Sequence, residues 1–122
     1  MNAAEATVPA KAFFAAAKRS GKMRRAPSGA KGSIAKDTRI LPSGHCVCVD
    51  TPLIATDIPA TGRWTKIVAL DTVRLIAACD QLALIVPAKD GSAVITIGAG
   101  DGQFWMKYNT TKLSIPAVYV LD

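Results

Sequence analysis

Two helix-forming stretches lie half a chain apart, and each is framed by the same kinds of neighbours. The first is AlaLysAlaPhePheAlaAlaAlaLysArgSerGlyLys at 10–22, entered from the short β-prone run Thr7-Val8-Pro9. The second, Thr72 to Asp80, is entered from Trp64-Thr65-Lys66-Ile67-Val68. Three short β-rich segments follow each helix. Placing residues 7–14 over residues 68–75 gives an offset of 61 positions, half of the 122-residue chain. The letters at matched positions mostly differ, so what repeats is the order of elements. A chain of this length holds one domain, 1–122, and the two halves must share its core. The boundaries are 1–62, which includes a basic loop at 20–37, and 63–122. Two βαβββ units predict an α+β fold: a curved antiparallel sheet surface with two helices on one side.

The helices are argued from composition and phase. Ala, Lys and Arg favour helix, Pro9 is tolerated at a first turn, and Gly21 is a suitable stop. At 100° per residue Lys11, Lys18 and Lys22 fall within about 20° of one line. Ala10, Phe13, Phe14 and Ala17 gather about 110° away. Asp71 is placed to cap the second helix, with Val73, Ile76 and Ala77 on its apolar face. Strands are expected at Ile40-Leu41, Cys46–Val49, Leu53–Ile58, 64–68, Leu82–Val86, Ala93–Gly98, Gln103–Tyr108 and Val118–Leu121. Turns are expected at Pro42-Ser43-Gly44, Pro59-Ala60-Thr61-Gly62, Lys89-Asp90-Gly91 and Gly100-Asp101-Gly102.

Charge is distributed unevenly. The chain carries 15 Lys and Arg against 9 Asp and Glu. Residues 1–39 hold nine of the bases and only two of the acids, Glu5 and Asp37, so the whole excess lies in the first third. Such a patch attracts polyanions, above all nucleic acid, by counterion release. The expected DNA-contacting residues are Lys11, Lys18, Arg19, Lys22, Arg24, Arg25 and Lys31. The loop bases Lys22, Arg24, Arg25 and Lys31 have no acid between them and should matter more than any residue after position 40.

Half of the residues are hydrophobic and a fifth are charged, enough to build a core. No run approaches the length of a transmembrane helix. The first 20 residues lack a basic head before an apolar core, so no secretory leader and a cytoplasmic location are expected. Cys46, Cys48 and Cys79 are odd in number and do not suggest a disulfide framework. His45-Cys46-Val47-Cys48-Val49-Asp50 has some metal-binding character, but zinc sites need a second ligand pair, and the Val-rich setting reads as core strand. No metal or other cofactor is expected. Gly98-Ala99-Gly100-Asp101-Gly102 lacks the helix that a phosphate loop requires directly after its glycines, and it reads as a hairpin.

Several local strings resemble the bacterial DNA sliding clamp, the polymerase processivity factor. Residues 7–13, ThrValProAlaLysAlaPhe, are similar to the start of its first helix. Residues 53–62, LeuIleAlaThrAspIleProAlaThrGly, are similar to its mid-domain strand and turn. Residues 67–76, IleValAlaLeuAspThrValArgLeuIle, are similar to the start of its second helix. The resemblance spans nearly the whole chain through short motifs. It implies the processivity fold, with helices facing DNA phosphates, and gives that role to Lys11, Lys18, Arg19 and Lys22, with Arg74 on the second helix. The contacts it implies are non-specific, because a clamp slides. A bacterial clamp subunit strings three such domains together. A one-domain chain would have to associate with copies of itself to form a ring, and Asp71 and Asp80 make the second helix less basic than a DNA-facing helix should be.

Other functions are weighed on the same residues. Gln81-Leu82-Ala83-Leu84-Ile85 is similar to the peptide with which polymerases occupy a clamp pocket, although Ile85 replaces the aromatic and a core strand is the simpler reading. No catalytic set is visible: His45 is alone, Asp50 and Asp57 read as turn and edge residues, and no Ser or Cys has a nucleophile-elbow context. The expectation is therefore a non-enzymatic DNA-binding module of replication, plasmid or phage origin, with no membrane partner. The alternative is a β-rich structural protein whose edge strands pair with its own copies or with a protein partner such as a replication protein.

Overall fold

A computed structural model describes residues 4–20, 36–51, 54–87 and 91–121. The fold is α+β, with two helices and two antiparallel five-stranded sheets among the described residues. In chain order the elements are β1 (Ala4–Pro9), α1 (Ala10–Ser20), β2 (Asp37–Ser43), β3 (Cys46–Asp50), β4 (Ala55–Pro59), β5 (Thr61–Arg63), β6 (Ile67–Asp71), α2 (Thr72–Ala83), β7 (Val94–Gly100), β8 (Gln103–Tyr108), β9 (Thr111–Pro116) and β10 (Tyr119–Leu121). The first sheet has the order β5-β1-β7-β8-β9 and the second β10-β6-β2-β3-β4.

Strand alternation sets what faces inward. In the first sheet Ala4, Ala6, Val8, Ile95, Ile97, Ala99, Phe104 and Met106 are buried. In the second, Ile40, Val47, Val49, Ile58, Val68 and Leu70 are buried. These residues join Phe13, Ala17, Leu75 and Leu82 of the helices in one hydrophobic cluster. Phe104 stacks on Phe13 of α1 with 6.4 Å between ring centroids and meets the edge of Trp64 at 6.4 Å. The helices pack side by side.

The phase read for α1 holds. Ala10, Phe13, Ala16, Ala17 and Ser20 are buried, Phe14 packs partly against the core, and Lys11, Lys18 and Arg19 are exposed. Asp71 caps α2, its carboxylate accepting the Arg74 N–H at 3.0 Å. The expected apolar face and end of α2 are corrected. Thr72, Leu75, Ala78, Cys79 and Leu82 face the core, whereas Val73 is 57% exposed. Leu82 lies three residues after Cys79 and extends the same stripe, so the helix runs through Ala83 where a strand was expected.

Further strand readings change: Thr61–Arg63 forms β5 and pairs with β1 where a turn was expected at 59–62, and the strand expected at 64–68 begins at Ile67. β2 passes through Pro42, and the hairpin turns at Gly44-His45, with Ser43 opposite Cys46. Residues 111–116, not expected as a strand, form β9 after a turn at Asn109, whose φ is 54°. The turn at Asp101-Gly102 appears as expected, both residues at positive φ between paired Gly100 and Gln103. Val118–Leu121 does reach a strand, β10, which pairs with β6 of the same chain. The Lys89-Asp90-Gly91 turn expectation falls mostly outside the described residues.

Candidate nucleic-acid interface

The exposed stripes of α1 and α2 lie away from the shared core. On α1 they carry Lys11, Ala12, Ala15, Lys18 and Arg19. On α2 they carry Val73, Arg74, Ala77, Asp80 and Gln81. Both helices are anchored beneath this surface. The Ser20 hydroxyl lies 3.1 Å from that of Thr38, and Thr38 lies 2.8 Å from that of Thr72, all three buried. This short polar chain ties the end of α1 and the start of α2 to β2. Each member has a partner, which is what makes a buried hydroxyl affordable in a core.

The sequence-predicted cations divide into four groups. Lys18 is paired: its ammonium lies 3.0 Å from the Asp80 carboxylate across the helix contact. Arg19 reaches back over β4, donating from Nη1 to the Thr56 hydroxyl at 3.5 Å. Lys11 and the Arg74 side chain have no ion pair or hydrogen bond among the described residues. Lys22, Arg24, Arg25 and Lys31 lie outside the described residues. The helix surface is thus cationic with one internal neutralisation. Its exposed alanines would let a polyanion come close.

On the outward face of the second sheet, Arg39 and Asp50 are directly paired across β2 and β3. Arg39 Nε donates to Asp50 Oδ2 at 3.1 Å, and this hydrogen bond with its charge attraction raises the arginine's pKa. Asp57 is opposite Cys48. Burial first, then Asp57, pushes the Cys48 thiol up. Asp50 is therefore bound to Arg39 rather than presented to Asp57 as one half of an acid–base pair. Among the described residues no group of three or more His, Cys, Asp or Glu is assembled for a metal ion. Nor is any helix there long and apolar enough to cross a membrane.

A second polar surface was not anticipated from the sequence. The outward face of the first sheet places Arg63, Glu5, Gly98, Trp105 and Ser114 in one cross-strand row. The next row is Thr61, Thr7, Thr96, Lys107 and Lys112. Beside them is a cavity of about 580 Å³ lined by Glu5, Val94, Thr96, Trp105, Lys107 and Tyr108, among others. The alternation Gln103-Trp105-Lys107 was visible in the sequence. The bases beside it were not, because they come from other strands. No family model matches the chain, and no curated protein matches it in sequence.

Proposed function

We propose that the chain is a sliding-clamp-like module that holds the DNA backbone without sequence preference through its helix pair, in replication, plasmid or phage biology. The observation carrying this reading is the relation between the two sheets. Advancing every strand of the order β5-β1-β7-β8-β9 by five, and counting on from β10 to β1, yields β10-β6-β2-β3-β4, the order of the other sheet. That is the pattern two half-repeats would leave if each were a strand, a helix and four strands, one strand more than the expected βαβββ unit.

Two finer details support the same reading. The first N–H of α1, Ala10, donates to the Ala93 carbonyl just before β7 at 3.0 Å. The first N–H of α2, Thr72, donates to the Lys36 carbonyl just before β2 at 3.1 Å. Lys18 and Asp80, each the ninth residue of its helix, meet one another. Equivalent positions of two units related by a two-fold axis come together on that axis. In this reading the helix pair faces phosphates through Lys11, Arg74 and Arg19, and no base-reading or catalytic group is needed.

The test is fluorescence anisotropy on duplexes of unrelated sequence. Affinity should fall steeply from 50 to 300 mM salt and vary little with sequence. Equal affinity at both salts would reject the reading. A second reading, pairing with copies or a protein partner through sheet edges, is favoured by β9, which pairs only with β8 among the described residues and is exposed along much of its length. A stable oligomer in size-exclusion chromatography, with no DNA affinity, would select it.

A further inference from the structure

The cavity on the outward face of the first sheet has the parts of a ligand site, and it lies on the opposite side of that sheet from the helices. Trp105 forms one wall. Its indole lies over Gly98 of β7, so closely that a Cβ at residue 98 would be 2.0 Å from Trp105 Cζ2. The ring can occupy this position only because residue 98 has no side chain. The Lys112 ammonium sits 4.9 Å from the ring centroid, so cationic groups already reach the indole. Glu5 and Lys107 border the same cavity, and neither has an ion pair or hydrogen bond among the described residues. Thr96 adds a hydroxyl group. The volume of about 580 Å³ lies in the range of small-molecule sites.

We propose that this cavity binds a nucleotide, with the base against Trp105, an exocyclic amine of the base donating to Glu5, and the phosphate at Lys107. Three bases, Arg63, Lys107 and Lys112, stand around one acid, so an anion is favoured over a cation. The aromatic wall selects an anion that carries a flat ring. Glu5 accepts hydrogen bonds and donates none while ionised, so it favours cytosine, adenine or guanine, whose exocyclic amines project at the base edge, over thymine, whose one ring donor, N3–H, is flanked by two carbonyl oxygens that repel a carboxylate. Stacking of a base on the indole outweighs the exposed Lys112 contact it displaces, and it frees that lysine for phosphate. The nucleotide can be free in solution or part of a single strand. A duplex keeps its bases stacked inside, so this site is independent of the helix-face reading.

Tryptophan emission provides the readout, because the second tryptophan, Trp64, is buried and serves as an internal reference. The full chain is titrated at 50 mM salt with dCMP, dTMP, oligo(dC) and oligo(dT). Saturable quenching by dCMP or oligo(dC), at least threefold tighter than by the thymine counterpart, is expected. Binding of dCMP identifies a mononucleotide site, and binding of oligo(dC) alone identifies a site for a strand; either supports the proposal. Trp105→Phe removes the reporter and should keep the fold and abolish the quenching, which assigns the signal to Trp105. Lys107→Ala should weaken it about tenfold, and Glu5→Gln should abolish the preference for cytosine. No saturable quenching up to millimolar dCMP and micromolar oligo(dC) would overturn the proposal. So would quenching that Lys107→Ala and Glu5→Gln leave unchanged.

Discussion

Lys18 of α1 and Asp80 of α2 form an ion pair at 3.0 Å that spans the contact between the two helices. Both side chains are more than half exposed, 56% and 54%, so the pair contributes little to stability. Its larger effect is electrostatic, since it neutralises one of the four described cations of the helix surface. Asp80→Asn should change the unfolding free energy by no more than about 0.5 kcal/mol. It should tighten duplex binding and steepen the log–log salt slope by about one unit. Anisotropy titrations at several salt concentrations read both.

Asp71 starts α2 by accepting the Arg74 N–H at 3.0 Å. Asp71→Ala leaves that donor without its cap and should cost about 1 kcal/mol in urea unfolding. Asp71→Asn should recover most of the loss, because the amide oxygen accepts the same bond.

Neighbours on β8 should respond unequally to truncation. Phe104 is fully buried between Phe13 and Trp64, and Phe104→Ala should cost about 3–5 kcal/mol. Trp105 points to the other face and is only half-buried, so Trp105→Ala should cost less than half as much. Chemical denaturation of the two variants side by side measures the contrast.

Burial pushes the Cys79 thiol up to about 12, Asp80 adding to the rise and Lys18 opposing it. In the unfolded chain the thiol loses its proton near its ordinary value of 9.0. Between these values the folded state holds a proton that the unfolded state has released. This contribution to stability is therefore complete below pH 9.0 and falls as pH rises towards 12, by up to about 1.4 kcal/mol per unit. Cys48, also shifted upward by burial, acts in the same direction. Urea unfolding between pH 7.5 and 10 should show the decline, and Cys79→Ala should remove most of it.

Local chemistry made some elements legible and long-range contacts hid others. The Ala, Lys and Arg content of α1 and the capping aspartate of α2 act within a few residues, and both were readable. Gln81-Leu82-Ala83-Leu84-Ile85 was not, because a short apolar run fits strand or helix equally until a partner is known. The packing of Leu82 in line with Cys79 decides for helix, leaving Leu84 86% exposed. β9 was missed because its apolar alternation is only two residues long, Leu113 and Ile115, and its turn depends on Asn109 taking a left-handed conformation. The cations of α1 were evident, but the loss of Lys18 to Asp80 required the helix contact. The Trp105 cavity depends on register alone, which sets Gly98 opposite the indole.

The most direct test of the helix-face reading is the salt dependence of duplex binding for the wild type and for Lys11→Ala combined with Arg74→Ala. These two cations have no partner among the described residues, and their removal should leave the fold intact. Binding by the double variant should weaken equally on unrelated duplexes, and its log–log salt slope should be shallower by about two units. An unchanged slope in the double variant, or wild-type affinity that is the same at 50 and 300 mM salt, would contradict DNA binding by the helix pair.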